Sequence, residues 1–100
     1  MEKRNYKRFS TDIHVTFCCC ATDYYSGTAT NMSDKGMFIN TNMCFPLESD
    51  LDILILLNEE MLRVPVKVRW LRKFSEIYDG VGVEVQNSPQ KFLEFIDSLR

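Results

Sequence analysis

Two short stretches of this sequence carry side chains suited to holding an anion. The first is Arg4-Asn5-Tyr6-Lys7-Arg8, ahead of the first apolar stretch. Its two arginines lie four residues apart, close enough to fold over a ligand from one side. A guanidinium fork matches phosphate oxygens, and also the O6/N7 edge of guanine, through paired hydrogen bonds. The plainer reading is a solvated basic tail. The second stretch is Asn31-Met32-Ser33-Asp34-Lys35-Gly36. In an extended chain Asn31 and Ser33 share one face and present an amide and a hydroxyl, while Met32 turns inward. Gly36 admits a backbone conformation, or a close approach, that a side chain would block. Here too a plainer reading stands: a strand–turn–strand link whose Asn and Ser serve the turn.

Other chemistry finds little footing. His14, the single histidine, sits between Ile13 and Val15 and reads as a strand surface residue. No Ser–His–acid or Cys–His arrangement is supported, and no acidic pair is singled out by spacing, so no catalytic residue is assigned. Cys18, Cys19 and Cys20 are consecutive and Cys44 stands apart. Neighbouring strand residues point to opposite faces, so the triplet cannot easily turn three thiolates on one ion. A second close-spaced pair of the zinc-ribbon kind is missing. The cysteines read as buried thiols acting as small hydrophobes, one of them outward and open to oxidation, with no metal.

The balance of charge sharpens the first stretch. Residues 1–8 hold Lys3, Arg4, Lys7 and Arg8 against Glu2, a local +3, within a 100-residue chain of net charge -2. The remaining residues are therefore acidic. A protein for polymeric nucleic acid needs a basic face, and an acidic body argues against one. With 45% hydrophobic residues the chain supports a single core, burying roughly 60–65% of its extended surface. No apolar run approaches the roughly 20 residues that span a bilayer. Ser10, Thr11, Asp12 and His14 interrupt any signal-peptide core, so a cytoplasmic location without membrane insertion is expected.

The elements that must carry these residues are mostly strands. Residues 13–20 alternate around Ile13, Val15 and Phe17, and residues 27–31 give a more polar second strand after a turn at 21–25. Residues 37–41 and 51–57 follow, separated by a loop containing Pro46. Residues 61–70 make the clearest strand, with Leu62, Val64, Val66, Val68 and Trp70 on one face and Arg63, Lys67 and Arg69 on the other. Trp70 thereby reads as core. Residues 73–79 read as a polar turn, and residues 80–85 as a last strand with Val81, Val83 and Val85 opposite Gly80, Gly82 and Glu84. Strand glycines are tolerable where something packs closely over them. Ser88 and Pro89 suit the cap and first turn of a helix over about 88–99. Six short antiparallel strands and one helix predict a small all-β barrel, since closure protects strand edges. The basic residues Arg63, Lys67, Arg69, Arg72 and Lys73 read as a solvated face or a partner surface.

Taken together, the two motifs resemble the PilZ domain family, whose members carry RxxxR before the first strand and [D/N]xSxxG some 20–30 residues later. Arg4 and Arg8 fill the first, and Asn31, Ser33 and Gly36 the second. The resemblance extends from about Arg4 to Leu99 and takes in Tyr6 and the strands at 64–70 and 80–85. It implies a six-stranded antiparallel barrel of split-barrel type with a C-terminal helix: a flexible basic arm at 1–8 and the barrel domain at 9–100. It also implies a non-enzymatic receptor for the bacterial messenger cyclic di-GMP (c-di-GMP), with no cofactor and an effector protein as partner. By that resemblance Arg4 and Arg8 clamp guanines and phosphates, Asn31 and Ser33 contact the ligand, and Gly36 shapes the surface. Lys3, Lys7 and, beside a base, Trp70 are auxiliary. The alternative is a PilZ-like protein adaptor that binds no nucleotide. Two departures stand out: Asn31 where many relatives carry Asp, and Lys3 where relatives often carry Arg.

Overall fold

A computed structural model describes residues 9–20, 23–57 and 59–99. Its strands are β1 (Phe9–Cys20), β2 (Asp23–Ser33), β3 (Gly36–Asn40), β4 (Asp50–Leu57), β5 (Glu60–Phe74) and β6 (Ile77–Val85), followed by helix α1 (Gln90–Leu99). They close into a barrel in the order β1-β2-β3-β6-β5-β4, and every neighbouring pair is antiparallel. The seam between β1 and β4 is short, pairing Thr16 with Leu54, Phe17 with Ile53 and Cys18 with Asp52.

Alternation builds the interior. Val15 and Phe17, Ile53 and Ile55, Leu62, Val64, Val66 and Val68 of β5, and Val81, Val83 and Val85 all turn inward and are buried. Burying each such side chain contributes about 1.5–3 kcal/mol. The two ends of the barrel are stopped differently. The loop after β3 lays Phe45 against Phe17, ring centroids 4.9 Å apart. At the other end α1, which follows β6, buries Phe92 and Ile96 in the core. Ten residues of helix are too few to persist alone in water, so this docking is what holds it. Leu99, expected on the same apolar stripe, is instead 39% exposed. Lys91 pairs with Glu60 on β5. That hydrogen bond and the carboxylate's charge raise the ammonium's pKa. A cation so raised contributes at all pH values below its ordinary titration and loses the contribution only in alkali, so this clamp is constant around neutrality.

Several element limits differ from the sequence reading. Tyr24 and Tyr25, expected in a turn, lie in β2 opposite Cys18 and Phe17, where aromatic residues suit a pleated surface. The expected polar turn at 73–79 is a continuation of β5 and β6, with Lys73 opposite Tyr78 and Phe74 opposite Ile77. Only Ser75 and Glu76 remain to reverse the chain, and Ser75 adopts φ 60. A left-handed first position in a two-residue hairpin turn favours glycine. Ser75→Gly is therefore expected to stabilise the protein by about 0.5–1 kcal/mol, measured by thermal or urea unfolding.

The helix start also differs. Pro89, not Ser88, supplies the carbonyl that accepts from the Phe92 and Leu93 N–H groups. The Ser88 hydroxyl donates instead to the Asp34 carbonyl, 3.4 Å away in the β2–β3 turn. The basic residues of β5 are largely neutralised in place: Arg63 by Asp52, Lys67 by Asp50, Arg69 by Glu48 and Glu84, Arg72 by Asp79. Such exposed pairs contribute about 0–1 kcal/mol each. They make this side of the barrel a ladder of ion pairs rather than a bare cationic patch. Of the cysteines whose side chains are described, Cys44 is exposed and Cys18 half-buried; His14 is exposed on β1.

Candidate functional site

The β2–β3 connection is a tight two-residue turn in which Ser33 pairs with Gly36. Ser33 is only 2% exposed. Its hydroxyl accepts from the Lys35 N–H at 3.2 Å and lies 3.5 Å from the Gly36 carbonyl, to which it donates. Ser33 thus serves the turn, the plainer of its two expected roles, and fixes the segment on which Asn31 stands. Met32 is fully buried, as its parity requires. Gly36 does not use a left-handed backbone, since no described glycine has positive φ. It is extended and buried, with Ser33 on one edge and Glu84 on the other.

Asn31 faces outward two residues before Ser33. With Phe38, Trp70, Leu71 and Arg72 it lines an open groove of ≈ 400 Å³ on the barrel's outer wall. Trp70 is here by virtue of a β-bulge. The register with β6 slips between Val68 and Trp70, which reverses the inside–outside parity. Val68 is buried, whereas Trp70 is 46% exposed. Leu71 takes the inward direction and packs on the core. The expectation of a core tryptophan, drawn from parity with Val66 and Val68, is therefore overturned. An inserted residue breaks a period-two pattern without changing residue types.

Two glycines of β6 make the groove flat. Added to Gly82, a Cβ would fall inside the Trp70 ring, and added to Gly80, inside the Phe38 ring. Each aromatic thus lies directly against β6 backbone. The Arg72 guanidinium sits over the Phe38 ring, 4.5 Å from its centroid. Its Nε donates to Asp79 at 2.9 Å and one terminal nitrogen to Asn40 at 3.1 Å. An indole and a guanidinium, both planar and both pinned, suit stacking and hydrogen bonding to a flat heterocycle. Phe38 and Arg72 were not singled out as site residues from sequence. The spacing of Gly80 and Gly82 was the available signal, since both needed an overlying group. Gly82→Ala is expected to push the indole off β6, red-shifting the emission of the single tryptophan while the far-UV spectrum is unchanged.

Arg4 and Arg8, with Lys3 and Lys7, lie outside the described residues. The first described residue, Phe9, pairs with Met32, and Ser10 with Asn31. The start of β1 thus lies beside the end of β2 that carries Asn31 and Ser33.

A family model described as the PilZ domain matches residues 2–98. The chain belongs to the PilZ domain family. Solved structures share its fold. The Bacillus subtilis inhibitor of motility MotI/DgrA matches with TM-score 0.77 and 14% identity, over 99% of this chain and 49% of that one. The PilZ domain of Escherichia coli YcgR with c-di-GMP matches with TM-score 0.75 and 9% identity, over 98% of this chain and 88% of that domain. The K. pneumonia MrkH–c-di-GMP complex gives TM-score 0.71 and 12% identity, over 99% and 51%. This PilZ chain thus spans about half the length of MotI/DgrA and MrkH. No curated protein matches it at a significant level. Among the described residues of this PilZ domain, no helix is long and apolar enough to cross a membrane, and no cluster of metal-ligating side chains occurs.

Proposed function

We propose that this PilZ domain is a non-enzymatic receptor for c-di-GMP. The observation that carries the reading is the setting of the second motif. Asn31 opens onto a groove with Trp70 and Arg72, on the strand whose end pairs with the start of β1 at Phe9. Arg4 and Arg8 supply guanidinium forks for guanine edges and phosphates, and Lys3 and Lys7 add positive charge. Asn31 offers an amide from the wall, and Ser33 and Gly36 hold the turn beneath it. Trp70 provides a planar face in the adjoining groove. Family membership supports the ligand class, and so do the two c-di-GMP complexes among the structures that share the fold. The domain performs no chemistry on the ligand and passes the signal to an effector protein.

Isothermal titration of the purified chain with c-di-GMP tests this directly. Saturable heat with an affinity well below 100 µM is expected. Silence up to about 100 µM, where binding is worth only about -5.5 kcal/mol, would remove the receptor reading. Silence together with a co-purifying protein would favour the nucleotide-independent adaptor.

A further inference from the structure

The turn that carries the second motif is bonded to the end of β6 and to the short connection that leads from it into α1. Its two tip residues direct their carbonyls to the last residue of β6 and to the segment that follows it. Lys35 O accepts from the Val85 N–H at 2.8 Å, and Asp34 O accepts from the Ser88 hydroxyl at 3.4 Å. Between these bonds the chain turns a corner at Asn87, whose φ of 48 is left-handed. Asparagine tolerates that conformation better than most residues. Ser88 stands one residue before Pro89, which occupies the N-cap position of the helix. Its hydroxyl is directed backward, to a carbonyl 54 residues away. The helix start is left to the Pro89 carbonyl, shared by the Phe92 and Leu93 N–H groups.

Helix α1 is itself poised. It is ten residues long, below the length that is stable in isolation, and it is seated through Phe92 and Ile96. It also forms one wall of an open groove of ≈ 690 Å³ against Leu56, Leu57 and Glu60. An element this dependent on its contacts responds to anything that tightens or loosens its anchorage.

From this we infer that the β2–β3 turn and α1 are one coupled unit, so that c-di-GMP held at the turn is read out at α1 through Asp34–Ser88 and Lys35–Val85. The inference rests on the receptor reading for the identity of the ligand, but the coupling itself exists without ligand. Order imposed on Asn31, Ser33 and the turn fixes the Asp34 and Lys35 carbonyls, and these fix the start of the helix. Coupling free energies are reciprocal, so loosening α1 weakens ligand binding in the same proportion as ligand tightens α1.

Hydrogen exchange on the full chain, read by mass spectrometry in peptides covering 33–38 and 90–99, tests both halves. Without ligand, Ser88→Ala is expected to speed exchange in both peptides by about 2- to 10-fold, the equilibrium factor of one net hydrogen bond. Ser88→Thr, which keeps a hydroxyl, is expected to restore most of the protection. With saturating c-di-GMP, exchange in 90–99 is expected to slow in the parent chain, and less so in Ser88→Ala. Unchanged exchange of the turn in ligand-free Ser88→Ala overturns the coupling, whatever the ligand does. Calorimetric binding with unmoved exchange in α1 overturns the readout while leaving the receptor reading intact. If coupling is present in the free protein but calorimetry is silent, the receptor reading fails, and the readout of c-di-GMP fails with it.

Discussion

Phe92→Ala is expected to cost about 3–5 kcal/mol of folding stability, the range for removing a large aromatic side chain from a core. Phe92 is fully buried and shares the barrel end with Ile96, itself fully buried. Domains of this size hold only about 5–15 kcal/mol in total. At roughly 4–8 °C per kcal/mol, the melting midpoint should fall by at least about 12 °C. The reason lies in the helix as much as in the cavity. Phe92 and Ile96 lie one turn of helix apart and are the buried residues of α1, flanked by the partly buried Leu93 and Phe95. Without Phe92 the helix loses its largest buried contact and has no independent stability. Leu99→Ala is the comparison, because Leu99 lies on the same helix but is exposed; it should cost less than about 1 kcal/mol. A loss below about 1 kcal/mol for Phe92→Ala would show that α1 is an appendage and not the stopper of the barrel.

How much of this was legible in the sequence depends on the range of the cause. The inward faces of β5 and β6 follow from alternation alone, and Leu62, Val64, Val66, Val68, Val81, Val83 and Val85 are where the pattern puts them. The inward turn of Met32 between Asn31 and Ser33 follows from the same rule. Trp70 defeats it, because a bulge adds a residue on one strand without leaving a mark in local composition. Its partner does leave one. Gly82 is costly in a strand unless covered, and the Trp70 ring is what covers it. The hairpin tip was hidden for a different reason. Polar residues near Ser75 read as loop, whereas a two-residue reversal needs only one left-handed position and lets Phe74 and Ile77 continue the strands. Ser88 is the least legible. Whether its hydroxyl bonds forward to the helix or backward to Asp34 is decided by tertiary structure, and no window of sequence around it contains the answer. The arginine motif was read from residue type and order, and it lies outside the described residues.

Replacing both Arg4 and Arg8 with alanine is expected to abolish measurable c-di-GMP binding while leaving the fold intact. Each arginine able to make a paired contact with a guanine edge contributes about 1–3 kcal/mol. Each single variant should therefore weaken binding by about 5- to 150-fold, and the double variant by the larger product if the two act independently. Conservative replacement separates geometry from charge. Arg8→Lys keeps the cation but loses the planar fork, so it should recover only part of the loss. Lys7→Ala, which removes a charge without a fork, should matter less. Its effect should shrink as salt rises, because exposed charges are screened beyond about 8 Å at physiological ionic strength. The deficit of Arg8→Ala should persist in high salt, since a desolvated paired hydrogen bond is screened far less than a free charge. Titration calorimetry at two salt concentrations, with thermal unfolding as a check on folding, reads all of these differences. If Arg8→Ala binds as tightly as the parent chain, Arg8 makes no contact with the ligand. The groove lined by Asn31, Trp70 and Arg72 would then carry the binding without it, and Trp70→Ala is the next variant to titrate.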